Sequence, residues 1–266
     1  MNSISSLAFI HPDAKIGDNV TIDAFAFIDK DVEIKDGCHI FPHATLRAGT
    51  RLEENVSIFE GAIIAAIPQD FRWKGDESFV KIGRNTIIRE NVIINRSIHA
   101  GGATVVGNDS FILAQTHIGH DSAIGDHCVL GNAVRVAGNC RVGDFTILSS
   151  NSLIHENCHV GRWVLVKGGC RVNNNVPPFT IMAHNPITYC GINAFILRKG
   201  EFTEEQIDDI ARCYRHLYQS NTSVFNALKR MKSDVRECVE RDEIIDFIEA
   251  HDQKIASAKS ETDFFD

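Results

Sequence analysis

The sequence predicts a mainly β fold: a solenoid followed by a small α-helical C-terminal domain. Three observations carry this. From Ile10 to Val172, every sixth residue is Ile, Leu or Val, with Asp70, Asp76 and Ala100 the exceptions. A second slot, four residues after each aliphatic, holds small side chains such as Ala14, Val20, Ala26, Ala44, Thr116, Ser122 and Ser152. The pattern stops at Asn173-Asn174-Asn175-Val176-Pro177-Pro178, and helical spacing follows. A fixed short period is the mark of a repeat protein in which each unit buries its apolar face on its neighbours.

Six residues are not a multiple of the 3.6-residue helical turn, but they suit a short strand plus a corner. Side chains alternate along a strand, so the aliphatic residue and the small residue both point inward when the corner falls between hexads. Gly17, Gly83, Gly107, Gly119, Gly125, Gly131, Gly143 and Gly161 follow the aliphatic directly, often with Asp or Asn soon after. These residues are expected to supply the positive φ that corners need. Three hexads make one triangular coil. The spacings Ile64 to Ile82 and Ile94 to Val106 are whole multiples of six, so excursions leave and rejoin one frame. Coils stacked at about 4.8 Å, roughly nine of them, give a prism about 40 to 45 Å long.

The repeat explains five of the eight cysteines. Cys38, Cys128, Cys140, Cys158 and Cys170 all occupy the small slot. They are expected to be reduced core thiols, since free Cys packs as a small hydrophobe. No CxxC pair suggests zinc.

Beyond the prolines, Thr203-Glu204-Glu205-Gln206 reads as a capping box opening a helix with Ile207, Ile210, Ala211, Tyr214, Leu217 and Tyr218 on one face. Ser223 caps a second helix through Met231, and Ile244, Ile245, Phe247 and Ile248 mark a third. The tail from Ser257 to Asp266 is polar and expected to fray. The expected division is a β-helix domain over 1–190, with excursion loops near 65–80 and 97–104, and a helical domain over 191–266.

Composition narrows the function. Net charge is −8, with no concentrated basic patch over residues 1–190, which argues against nucleic acid as a partner. No apolar run approaches the roughly 20 residues of a membrane span. The N-terminus lacks the basic and apolar regions of a signal peptide, so a cytoplasmic location is expected.

Function is sought where the repeat is broken or decorated. The first excursion, Ala65 to Val80, brings Gln, Asp, Arg, Trp and Lys to a corner, and a long loop in a regular solenoid is usually functional. The second, Ser97 to Thr104, is Gly-rich and carries His99. The segment QTHIGHDSAIGDH holds His117, His120, Asp121 and His127. Histidine exchanges protons near neutral pH, and a neighbouring carboxylate can fix its tautomer. Adjacent strand residues point to opposite faces, so His120 and Asp121 cooperate only if a corner turns them together. Two chemistries fit: His120 as a general base for acyl transfer, or zinc held by His117, His120 or His127, with or without a neighbouring subunit's histidine.

The segments PQDFRWKGDES, IIRENVIINRS, QTHIGHD, NVPPF and GINAFILRKGEFT together resemble the acyl-(acyl carrier protein)–UDP-N-acetylglucosamine O-acyltransferases, which catalyse the first step of lipid A synthesis. The resemblance spans nearly the whole chain. It implies a left-handed parallel β-helix, a handedness opposite to the usual crossover preference. It implies a homotrimer with sites in grooves between prisms, where the outward residues of the His117 to His155 segment meet a neighbour's Gln69 loop. His120 would be the base acting on the sugar 3-hydroxyl, Asp121 its orienting partner, and Gly138 the oxyanion donor. His117 would contact substrate, and Gln69, Asp70 and Arg72 would line the site. Arg72 stands where the family has Lys, Asn139 where it has His, Glu156 where it has Gln, and Phe195 where it has an acidic residue. His155 matches a family histidine. Gly168 matches the acyl-length ruler, and a glycine there implies a long chain. Asn193 and Lys199 match nucleotide contacts.

No metal or bound cofactor is implied; the acyl group arrives on the phosphopantetheine of acyl carrier protein. That partner is acidic, and Arg212, Arg215, Lys229, Arg230, Lys232 and Arg236 are candidates to dock it. Three readings compete: an acyltransferase with another acceptor, such as a 3-amino sugar nucleotide; a zinc-dependent carbonic anhydrase on the same solenoid; and a non-catalytic rod. The related N-acyltransferase carries an extra N-terminal domain, and with the repeat starting by Ile10 that reading is not the one expected.

Overall fold

The structure is a computed structural model and describes residues 1–220, 222–250 and 255–258. The repeat forms a left-handed parallel β-helix with three faces, in which each short strand pairs with the strand one coil away. The first face begins with Ser3–Ile4, the second with Phe9–Ile10 and the third with Lys15–Ile16. Register advances by one coil of three hexads, as in Thr21↔His39 and Phe27↔Thr45. At the excursions it jumps further. Ile63 pairs with Ile93 and Ile93 with His117, so the first loop adds two hexads and the second adds one.

The inward slots behave as expected. Ile22, Ile28, Ile40, Leu46, Ile58, Ile64, Ile118 and Ile154 are fully or almost fully buried. Each such side chain contributes about 1.5–3 kcal/mol on leaving water. The five cysteines of the small slot are free and buried. Burial pushes the Cys38 thiol up to about 11 and those of Cys128 and Cys140 up to about 12. The slot is more polar than its sequence suggests, because its hydroxyls and thiols donate to the next coil's carbonyls. Thr116 reaches Gly131 O at 3.0 Å, Ser122 reaches Ala137 O at 2.8 Å, and Cys140 reaches His155 O at 3.0 Å.

The expectation about the corners holds for the Asn and Asp residues and is corrected for the glycines. Positive φ falls three residues after the aliphatic, at Asn19, Asp31, Asp121, Asn139, Phe145, Asn157 and Trp163 among others. The glycines directly after the aliphatic do not adopt it; they are there for space. A Cβ at Gly119 would stand 2.7 Å from the Ala137 carbonyl carbon of the next coil.

The first face continues past the prolines through Thr180–Ala183 and its antiparallel partner Thr188–Ile192, which the sequence reading did not foresee. Four helices follow among the described residues: α1 (Ala194–Lys199), α2 (Glu204–Tyr218), α3 (Val224–Asp234) and α4 (Val239–Ala250). The short α1 was also unforeseen. The Thr203–Gln206 capping box opens α2, and Ser223 caps α3. These helices pack with Trp163 and Phe179 as a second apolar cluster at the C-terminal end of the prism. Of the tail expected to fray, residues 259–266 lie outside the described residues.

Candidate active site

The functional candidates converge on one edge of the prism, where the second face turns into the third. The 65–80 loop leaves this edge, the 97–102 turn occupies it one coil later, and His120-Asp121 follows on the next. Gly138-Asn139 and His155-Glu156-Asn157 come one and two coils beyond.

The corner solves the geometric problem posed by adjacent residues. Asp121 takes φ 60°, which turns its carboxylate back onto the His120 ring. Asp121 Oδ2 lies 2.8 Å from His120 Nδ1. The same carboxylate accepts from the Ser97 hydroxyl and, at 3.2 Å, from the Ile98 amide. The Asp121 amide donates to Thr104 Oγ1 at 2.9 Å. Burial works against the Asp121 charge, but the hydrogen bonds from Ser97, His120 and Ile98 outweigh it and hold the carboxyl below its ordinary range. The second excursion is therefore the mount of the dyad. Sequence reasoning missed Ser97 and Thr104. The signal was present: the second gap inserts one extra hexad, which brings Ser97 one coil below Asp121.

Nε2 of His120 faces the cleft. Its ring packs on Gly138, where any Cβ would overlap it, Nε2 first. The neighbouring amides are engaged, Ala137 N to Ile154 O at 3.0 Å and Asn139 N to His120 O at 2.8 Å. Gly138 N makes no hydrogen bond among the described residues, and so remains a donor beside the histidine.

The first excursion folds onto this dyad within its own chain. Asp70 Oδ2 lies 3.3 Å from His120 Nε2. Arg72 grips Asp70 through its Nε and Nη2 and reaches Glu156 at 2.8 Å. These bonds, the Arg72 side chain first, hold the Asp70 carboxyl well below the usual carboxylate range. Asp70 and Arg72 thus reach the histidine segment in cis. Gln69 itself is exposed.

A cleft of about 220 Å³ opens here, lined by Arg72, His99, His120, Asp121, Asn139, Arg141, Glu156 and Asn157 among others. Asn139 Nδ2 donates to Asn157 Oδ1 at 2.7 Å. His155 stands beside Glu156, exposed on the same edge. His117 is on the adjoining face, and burial, then the nearby Arg135 charge, lowers its pKa.

Other candidates lie elsewhere. Gly168 follows Val166 at the edge between first and second faces. Asn193 is buried at the start of α1, and its side chain donates to Trp163 O at 3.2 Å. Lys199, at the end of α1, has its Nζ 4.7 Å from the Phe195 ring centroid. These two belong to the Trp163 end of the molecule, so one chain does not bring them to His120. Among the carrier-docking candidates, Arg236 pairs with Asp209 and Glu205, and Lys232 with Glu249.

The imidazoles of the zinc reading do not converge within the chain. His127 stacks on Phe145 at a different edge, with ring centroids 4.7 Å apart. Among the described residues, Asp70, His120 and Glu156 do bring ligand atoms within 4.8 Å of one another. The Arg72 guanidinium already bridges the two carboxylates there, and a divalent cation would have to displace it.

Comparison with known proteins agrees with this picture. Residues 175–256 match the second domain of the UDP N-acetylglucosamine O-acyltransferase family, and residues 13–48 and 103–138 match bacterial transferase hexapeptide repeats. An acyl-(acyl-carrier-protein)–UDP-N-acetylglucosamine O-acyltransferase of Chlorobaculum parvum is 49% identical over 96% of this chain and 97% of its own. The solved UDP-N-acetylglucosamine acyltransferase of Bacteroides fragilis superposes with a TM-score of 0.92 at 42% identity, covering 96% of this chain and 99% of that one. The Francisella novicida enzyme gives 0.93 at 33% identity, covering 97% and 95%. The chain belongs to the acyl-(acyl-carrier-protein)–UDP-N-acetylglucosamine O-acyltransferase family.

Proposed function

We propose that this protein moves a long (R)-3-hydroxyacyl chain from acyl carrier protein to the 3-hydroxyl of UDP-N-acetylglucosamine, the first step of lipid A biosynthesis. The observation that carries the mechanism is the His120 ring, anchored by Asp121 at Nδ1 and open to the cleft at Nε2 beside the Gly138 amide. Asp121 fixes the tautomer that leaves the Nε2 lone pair to act. The hydroxyl displaces Asp70 from Nε2 and gives up its proton there as its oxygen attacks the thioester carbonyl. The oxyanion forms against the Gly138 N–H, a donor already in place. Collapse breaks the C–S bond, and the proton passes from Nε2 to the departing thiolate. The residues need no metal or bound cofactor for this sequence.

The active species in this reading is a homotrimer in the cytoplasm. Asn193 and Lys199 serve the sugar nucleotide only if a second copy brings its Trp163 end to the His120 edge. Phe71 and Ile67, apolar and exposed on the first excursion, suit a surface covered by such a copy. His120→Ala should remain folded and lose roughly 10²–10⁴ in turnover. Near-normal acyl transfer by that variant, measured with UDP-N-acetylglucosamine and 3-hydroxyacyl carrier proteins of graded length, would remove His120 as the base.

A further inference from the structure

The cleft around His120 carries two arginines in different states. Arg72 is spent: Asp70 grips it from one side and Glu156 from the other. Arg141 is not. It stands outward on the third face, exposed, with Nη1 donating to the carbonyls of Asp121 at 2.6 Å and Cys140 at 3.0 Å. Among the described residues no carboxylate pairs with it, and its Nε and Nη2 make no hydrogen bond. The cleft also holds the carboxylates of Asp121 and Glu156, with Asp70 beside it, all close to His120 or to Arg72. A dianion entering such a cleft needs an unspent cation, and a guanidinium fork suits phosphate oxygens.

We infer that Arg141 binds a phosphate of the substrate, and that the phosphate is the diphosphate of the sugar nucleotide rather than the phosphodiester of the carrier's prosthetic arm. This rests on the acyl-transfer reading above. The choice between the two sources follows from reach. Arg141 is anchored on the carbonyl of Asp121, next to the base. In the sugar nucleotide, the diphosphate hangs from the ring carbon next but one to the carbon bearing the attacked hydroxyl. In the carrier arm, the phosphate lies at the opposite end from the thioester. A hydroxyl on His120 therefore brings its own diphosphate near Arg141, while a thioester at Gly138 leaves the carrier phosphate far outside. His99, exposed on the second excursion and lining the same cleft, is a second donor available to the same oxygens.

The test uses the full chain, with Arg141→Gln and Arg141→Lys beside the parent protein. Calorimetry with UDP and with uridine separates phosphate recognition from base and ribose contacts. Arg141→Gln should weaken UDP by roughly 10- to 100-fold and leave uridine unchanged. KM for UDP-N-acetylglucosamine should rise in parallel, with KM for the acyl carrier protein unmoved, and Arg141→Lys should recover part of the loss. Unchanged UDP affinity in a folded Arg141→Gln protein would overturn the inference. So would an equal loss for UDP and uridine, which is what a merely structural role produces, or a rise in KM for the carrier alone. If the parent protein shows no acyl transfer, the functional reading fails, while the contrast between UDP and uridine still reports on Arg141.

Discussion

Two edges of the prism use one backbone device for opposite ends. On the edge that holds the site, the left-handed corner position is filled by Asp121, Asn139 and Asn157 with φ of 60°, 56° and 63°. On the edge between third and first faces, the same position is filled by His127, Phe145 and Trp163 with φ of 54°, 58° and 57°. The first set points hydrogen-bonding groups into a cleft. The second stacks ring on ring, with Phe145 and Trp163 centroids 4.2 Å apart, and ends edge-on against Phe202 ahead of α2. Substitutions on the two edges should therefore separate chemistry from stability. The corner fixes where a side chain goes, and the side chain decides what the corner does.

The largest effect is expected from Asp121→Asn, which keeps the shape but changes the group at Nδ1. Turnover should fall roughly 10²–10⁴-fold, since the histidine loses the partner that sets its tautomer. Thermal unfolding should shift much less than turnover. An activity loss fully explained by unfolding would erase the contrast between the edges.

Trp163→Ala is the converse. Trp163 is only 7% exposed, and Gly200 of the helical domain packs against its ring. Truncation should cost about 3–5 kcal/mol, read from denaturant unfolding, with turnover per folded molecule preserved. Loss of turnover without loss of stability would show that the aromatic edge takes part in catalysis.

A pH experiment addresses the adjoining face. Burial holds His117 below its ordinary value of 6.5, so the folded chain binds that proton less readily than the unfolded one. Stability should fall as pH drops through 6.5 and stop falling below the folded value. His117→Asn should flatten that part of the curve. An identical slope in the variant would place the proton uptake on another group.

The smallest effect belongs to Glu156→Gln. Its bridge to Arg72 is largely exposed, with side-chain exposures of 46% and 61%, and such pairs contribute little to stability. The melting temperature should barely move, while hydrogen exchange in the 65–80 loop should rise. Unchanged exchange would mean that the grip of Asp70 on Arg72 holds the loop by itself.

The solenoid was legible in the sequence because its cause is local and repeated. An aliphatic every sixth residue and a small side chain four later leave little freedom for any other packing. The cysteines sorted themselves by the same frame. Legibility ended wherever the third dimension chose among equals. The corner residues at Asp121 and His127 look alike in composition, and only counting hexads through both gaps puts the first above both excursions. Register also decided that the Asp70 loop reaches His120 within one chain, and that Ser97, Ile98 and Thr104 anchor the dyad. Arg141 went unnoticed because a lone arginine on a strand looks like ordinary surface. By itself, the sequence determined the period and the core, because burial and strand alternation act residue by residue. Tertiary structure alone decided which charges are spent on one another and which are left for a substrate, because that depends on contacts between coils many residues apart.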